Sequence, residues 1–265
     1  MSNIFDRELL KQNRDRASAN FSEYDFLFKE VAGRIVEKTE DLKGDLTNIL
    51  EIGARDGFLG KEIKRLKNGK FLIQTDSSPL FVQNYSLENA IVLDDEDLHF
   101  SASSFDIIVS NLNLHFINDV VGHLLEIKKF LKPNGVFIAS FFGGETLKKL
   151  REVLLEVEQE KHNGISPRIA PFAHVKDAGM LMQKAGFRDS VAESEIINVA
   201  YSSFFKLLKD IKNMGESNVM YERSKKFVSK SFFAEAEKLY LKNEKLKNDG
   251  EMEVNFEIIT VIGWK

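Results

Sequence analysis

Chemistry-bearing residues gather at four places in this chain, each directly after a short apolar run. The first is Glu51-Ile52-Gly53-Ala54-Arg55-Asp56-Gly57. An acid at a strand end, then a glycine-containing turn into a helix, is how parallel sheets receive nucleoside-type ligands, because glycine lets a ligand approach the backbone. The same string also reads as an ordinary tight strand-to-helix turn. The second is Asp76, which ends the run begun at Phe71. Its carboxylate can accept two hydrogen bonds from a ribose diol, or cap the helix that Ser77-Ser78-Pro79 opens. The third is Asp94-Asp95-Glu96-Asp97, where an acid can accept from an exocyclic adenine amine or simply stand in a solvated loop. The fourth, Ser110-Asn111-Leu112-Asn113-Leu114-His115-Phe116, brings polar side chains and an aromatic. His115 titrates near neutrality and can deprotonate an acceptor; a packed histidine is the plainer alternative. Three acids and a polar loop after four successive runs make a pattern that none makes alone.

These groups act together only if elements hold them on one edge. Residues 48–52, 71–75, 90–93, 105–110 and 136–141 predict strands. Residues 58–66 and 119–131 have helical spacing, the second stopped by Pro133-Asn134-Gly135, and Pro79 opens a short helix. Residues 146–160 predict a charged amphipathic helix whose polar face is solvated. Strands alternating with helices call for an α/β fold, a parallel sheet covered on both faces with the polar groups at its carboxyl edge. The last third breaks the alternation. Residues 176–185, 201–213 and 232–246 predict helices, and 191–199 and 256–262 predict strands. A final strand after extra helices makes the inserted helices a cap, against which the first 40 residues lean as further helices. Ser166-Pro167-Arg168-Ile169-Ala170-Pro171-Phe172, stiffened by two prolines, is the best substrate-facing loop, with Arg168 able to meet an acidic partner. In Met214–Asn218, Glu216 and Asn218 are the polar recognition candidates.

Composition bounds the chemistry. The chain has 265 residues, of which 43% are hydrophobic, so it can fill a real core. A net charge of −4 gives no general pull toward nucleic acid or anionic lipid. The absence of cysteine removes disulfides, a thiolate nucleophile and any Cys-ligated zinc or iron–sulfur site. His99, His115, His123, His162 and His174 include no His-x-x-x-His pair, so no metal site is expected. No run reaches the ~20 apolar residues of a membrane span. The N-terminus lacks the features of a signal peptide, so a cytoplasmic location is expected.

The order of motifs over residues 48–141 resembles the class I S-adenosylmethionine-dependent methyltransferases. That resemblance implies a Rossmann-like sheet of seven strands, mostly parallel, with the last strand antiparallel, and S-adenosyl-L-methionine as cofactor. It implies that Glu51 belongs to the cofactor motif, that Gly53, Arg55 and Gly57 flank the methionine part, and that Asp76 takes the ribose. Asp94 with the backbone of Asp95 takes the adenine. Asn111 lines the methionine end, and Asn111 and His115 stand nearest the transferred methyl group. Its domain reading is an N-terminal helical segment (1–40), the cofactor core (41–160), a helical cap with one core strand (161–250) and a closing strand (251–265).

A narrower match spans almost the whole chain. Ile4-Phe5-Asp6-Arg7, Phe142-Gly143-Gly144-Glu145, the Ser166–Phe172 segment, Met214-Gly215-Glu216-Ser217-Asn218 and the terminal Ile262-Gly263-Trp264-Lys265 look like the mitochondrial complex I assembly factor family of methyltransferase type and its alphaproteobacterial relatives. The biotin-pathway malonyl-carrier-protein methyltransferases are more distant cousins. The match implies a protein substrate such as a respiratory complex I subunit. It also implies two alternatives to methylation, arginine hydroxylation and non-catalytic assembly. One position departs from the pattern: Arg55 stands where the middle glycine belongs. It points outward, partners the cofactor carboxylate or an acidic substrate, or blocks the pocket.

Overall fold

The run Asn48–Ile52 (β1) is mostly apolar and buried from Ile49 onward, which suits the centre of a sheet covered on both faces. The computed structural model describes residues 3–162, 166–225, 228–242 and 251–265, with only the backbone of residues 161 and 162. β1 pairs in parallel with β2 (Phe71–Asp76) on one side and β4 (Phe105–Asn111) on the other. β2 carries the short β3 (Ile91–Val92), and β4 carries β5 (Leu131–Phe142), both in parallel. β7 (Met252–Trp264) runs antiparallel between β5 and β6 (Arg188–Tyr201), giving the order β3-β2-β1-β4-β5-β7-β6. This is the mostly parallel α/β sheet expected, with the last strand antiparallel. The order reverses between β1 and β4, so the crevice for a ligand opens at their carboxyl ends.

Alternate strand residues bury on opposite faces. Ile49, Leu72, Ile107 and Val109 pack under α2 (Phe26–Glu40), α3 (Phe58–Leu66), α6 (Lys148–His162), α8 (Phe204–Asn213) and α9 (Lys230–Lys242). Leu50, Ile52, Ile108 and Phe137 pack under α5 (Val120–Phe130) and α7 (Val175–Lys184). α1 (Arg7–Ser18) lies along α4 (Pro79–Asn84) and touches α8. A third cluster of Phe5, Leu10, Phe116, Ala170, Val219 and Met220 ties the start of the chain to the loop after β4 and the segment after α8. Its backbone is pinned by the Asp6 N–H donating to the Val219 carbonyl at 2.8 Å.

Several boundaries differ from those the sequence predicts, each for a local reason. Pro133-Asn134-Gly135 lies inside β5 as an irregularity, because Leu131 already pairs with Phe105 before Val136 pairs with Ile107. β6 and β7 are longer than expected, since each antiparallel neighbour extends the other's ladder from Arg188↔Trp264 to Tyr201↔Met252. α8 starts at Phe204 rather than 201, because Tyr201 still pairs in β6 and the Ser203 side chain accepts from the Lys206 N–H as N-cap. The helix expected over 232–246 begins at Lys230 and is followed to Lys242; residues 243–246 lie outside the described residues. α2 packs on α3 and the sheet rather than on the cap, and it is α1 that reaches the cap at α8. No helix among the described residues is long and apolar enough to cross a membrane.

Candidate functional site

The turn after β1 is built on three left-handed residues: Gly53 at φ +69°, Arg55 at +53° and Gly57 at +73°. A Cβ at Gly53 would stand 2.6 Å from the Asn113 amide, so only glycine lets the β4 loop approach. Arg55 keeps the glycine conformation at a cost of roughly 1–2 kcal/mol. Its N–H donates to Asp76 Oδ2 at 3.0 Å, fixing the turn to the end of β2. Glu51 sits behind the turn. Its Oε2 accepts from the Gly60 N–H at 3.1 Å and from Gln74 Nε2 at 2.5 Å, and burial pushes its carboxyl up to about 8. It braces the start of α3 and also lines the small space beside Gly53, Arg55 and Asn111.

Asp76 is wholly buried, and that burial raises its pKa against the pull of Arg14 and Arg55. Its Oδ1 accepts from the Ser78 N–H at 2.8 Å, but the N-cap of α4 is Ser78, whose Oγ accepts from the Phe81 N–H. The two adjacent acids after β3 part company. Asp94 is half-exposed and bound by Arg7 at 2.7 Å, while Asp95 is fully buried. Asp95 Oδ2 accepts from Arg14 Nη1 at 3.0 Å and Arg7 Nη2 at 3.2 Å. Burial pushes Asp95 up, but the two guanidinium groups outweigh it and hold the carboxyl below its ordinary value.

One residue the sequence left unremarked, Arg14, completes the cluster. Arg14, fully buried on α1, also donates to Ser77 Oγ at 2.9 Å and to Asn113 Oδ1. Arg7 and Arg14 are seven residues apart, two helical turns, so one face of α1 delivers both. That spacing was the available signal. Asn111 Nδ2 donates to the Phe28 carbonyl at 2.9 Å.

Arg55 does not point outward. Its guanidinium is buried, with Nη2 donating to Glu216 Oε1 at 2.6 Å and Nη1 to the Met214 carbonyl at 3.0 Å. The other Glu216 oxygen meets His115 Nε2 at 2.9 Å. Burial pushes Glu216 up, but the charge of Arg55 and the His115 bond outweigh it and lower its pKa; burial lowers His115 against the pull of Glu216. Glu216, expected on a cap loop, therefore stands in one cluster with His115 and the β1 turn.

Glu216, Arg168 and Asn218 line one cavity of about 400 Å³ between the sheet and the cap, closed in by Phe142 and Phe172. Arg168 is anchored by Glu158 at 2.6 Å and lies over the Phe232 ring at 4.9 Å. Asn218 Nδ2 donates to the Pro167 carbonyl at 2.8 Å, joining the two segments that the sequence singled out. The Gly143-Gly144 turn is packed against Glu257 and His174.

The donor and acceptor set at the carboxyl edge fits a nucleoside-type cofactor. Asp95 Oδ1, Asn111 Oδ1, Asn113 Nδ2 and His115 Nδ1 are all buried with no hydrogen-bond partner. The space beside Gly53, Arg55 and Asn111 is only about 10 Å³. The side chains of Arg14, Asn113 and Arg55 close the crevice and must shift to admit a ligand.

Residues 50–139 match the family described as a methyltransferase domain. The arginine hydroxylase NDUFAF5 of Mus musculus mitochondria is 37% identical over 271 residues, covering 99% of this chain and 78% of the relative. A Rickettsia prowazekii protein with a provisional methyltransferase name is 38% identical over 187 residues, 71% of this chain and 83% of its own. Among solved structures, the Bacillus subtilis YcgJ protein superposes with a TM-score of 0.59 at 16% identity, covering 89% of this chain and 98% of its own. Phosphoethanolamine N-methyltransferase 2 of Haemonchus contortus, solved with S-adenosyl-L-methionine, gives 0.53 at 15% identity over 93% of this chain and 57% of its own. The cytoplasmic location expected from the sequence is overturned, because the arginine hydroxylase relatives from mouse, rat and human are mitochondrial. A start without signal-peptide features does not report on descent. The chain belongs to the family of the arginine hydroxylase NDUFAF5, built on the class I methyltransferase fold.

Proposed function

We propose that this chain binds S-adenosylmethionine across the carboxyl ends of β1, β2 and β4 and transfers its methyl group to a side chain of another protein. A respiratory complex I subunit is the acceptor that the sequence resemblance implies. The observation that carries the reading is the row of unpartnered buried polar atoms beside Asp76 and the glycine turn. Asp76 offers its carboxylate to the ribose diol. Asp94, the backbone of Asp95 and the free Asp95 Oδ1 face the adenine edge. Gly53 and Gly57 let the methionine part approach the backbone, with Arg55 between them, and Asn111 lines that end.

The sulfonium of the bound cofactor supplies an activated methyl group. The protein's own task is alignment and one proton. Glu216 holds His115 by Nε2 and leaves Nδ1 as the acceptor of a proton from the incoming side chain. Arg168 and Asn218 shape the cavity through which that side chain approaches. Incubation with labelled S-adenosylmethionine and candidate subunits tests the reading. Label in the subunit supports it; no label with any subunit, together with no cofactor binding, overturns it.

The names of the 32–37% identical relatives favour a second reading, hydroxylation of an arginine on the same scaffold. The product separates the two: methylation adds one carbon and two hydrogens, hydroxylation one oxygen.

A further inference from the structure

The cavity under the cap is larger than one incoming side chain needs. It holds about 400 Å³, whereas a dry apolar cavity of roughly 150 Å³ takes a whole benzene ring. Part of its wall belongs to the His115 cluster. Phe116, Phe142 and Phe172 line it, and their rings pack around the imidazole at 4.4, 4.7 and 5.5 Å between centres. Most of the remaining wall is apolar and comes from the cap. Leu150 and Leu154, four residues apart, turn one face of α6 to it, and Leu208 and Ile211, three apart, turn one face of α8.

The charge pattern narrows the occupant. Each charged side chain in the described lining is already paired: Glu216 with Arg55 at 2.6 Å, Arg168 with Glu158 at 2.6 Å and Arg223 with Asp6 at 3.3 Å. A charged guest among those leucines would lose its hydration without gaining a counter-ion, so the guest is uncharged there. An anion with a long acyl chain finds both guanidinium groups already holding acids. The segments that border the cavity are tied together, Asn218 Nδ2 donating to the Pro167 carbonyl at 2.8 Å and the Ser224 N–H to Ser166 Oγ at 2.7 Å. The cavity is therefore a formed feature of the cap. One continuous space joins the Glu216 end to the apolar wall, so one molecule fills both.

We propose that this cavity is a subsite for a large uncharged apolar side chain, leucine or phenylalanine in kind, carried by the partner protein as a near neighbour of the side chain it presents to His115. This rests on the reading that the chain acts on a protein side chain, and it adds what must stand beside that side chain. Leu208 and Ile211 of α8 are then specificity-determining residues, while the sheet edge keeps the chemistry.

The probes are N-acetyl-phenylalanine-methylamide and N-acetyl-leucine-methylamide, with the alanine and aspartate analogues as controls. Each is titrated into the full chain and followed by NMR of the leucine and isoleucine methyl groups. The two large probes are expected to saturate with shifts at Leu150, Leu208 and Ile211, and to bind about tenfold or more tighter than the alanine analogue, as missing methylenes in an apolar pocket require. The aspartate analogue gives no such shifts. Leu208→Trp fills the cavity from a half-buried position and is expected to abolish binding with an unchanged circular dichroism spectrum; should it fail to fold, Ile211→Phe takes its place. No saturation by the large probes, equal affinity for all four, or binding that survives the filled cavity overturns the proposal. Displacement of the phenylalanine probe by dodecanoate at equal or lower concentration makes the cavity a lipid site and also overturns it. S-adenosylmethionine affinity is measured in parallel. Cofactor binding without discrimination among the probes contradicts the subsite alone, and discrimination without cofactor binding contradicts the function alone.

Discussion

Asp76 has two hydrogen bonds in hand, from the Arg55 and Ser78 N–H groups, and no exposure to solvent. Removing the carboxylate takes away the ribose acceptor while the β-ladder around it persists. Asp76→Ala is expected to keep its circular dichroism spectrum and lose S-adenosylmethionine affinity by about tenfold or more in calorimetry, the scale of a charged hydrogen bond. His115 makes a second residue-scale prediction. Burial holds it below its ordinary value of 6.5, so it is neutral and able to accept a proton at physiological pH. The acid limb of kcat/KM therefore falls below pH 6.5, and His115→Ala lowers kcat by about 10²–10⁴-fold if proton removal is the role. Glu51 supplies a third. Its folded pKa of about 8 lies above its unfolded value of 4.5, so its contribution to stability is complete below pH 4.5 and is lost as pH rises toward 8. Glu51→Gln should flatten the fall in Tm between those values. Equal slopes in the two proteins would contradict the assigned burial. Of these residues, Gly53, Gly57 and Asp76 were legible from strand ends and turn chemistry. The buried member of the Asp94–Asp95 pair was not, because adjacent residues at a strand end differ only in which way the chain turns next.

α1 matters because it carries both arginines that face the acids after β3. Leu10 on the same helix is fully buried against Phe5, Phe116 and Val219. Leu10→Ala is expected to cost ~2–5 kcal/mol of stability, read by denaturant unfolding. It should also weaken cofactor binding, because Arg14 loses its fixed approach to Asp95. A variant as stable as the native chain would show that α1 is dispensable packing. The core elements were readable because their signals are local: apolar runs for strands, 3.6-residue spacing for helices, Pro79 at a helix start. The cap loop after α8 could be singled out as Met214–Asn218, but its contact with the β1 turn could not be read. Glu216 stands 161 residues from Arg55 along the chain yet bonds to it, and no window of sequence reports a contact at that distance. The ends of β6 and β7 were missed for a related reason, since each strand's length is set by its partner rather than by its own residues.

At the scale of the whole molecule, the N-terminal helices, the cap and the sheet converge on one buried cluster. Arg14 comes from the first, Glu216 from the second, and Asp76, Asp95 and His115 from the edge of the third. Charges in that cluster are paired, so a cofactor must exchange partners with side chains rather than fill a ready cavity. Association is therefore expected to be slow relative to diffusion, with the affinity expressed once Arg14, Asn113 and Arg55 have moved. Arg55, the residue that broke the expected glycine pattern, changes what opens the site without changing the fold that holds it. The most direct test is calorimetric titration of the purified chain with S-adenosylmethionine, alongside Asp76→Ala. Saturable one-to-one binding is expected in the native chain, weakened by about tenfold or more in the variant. No binding by the folded native chain at millimolar cofactor, or equal binding by both proteins, would contradict it.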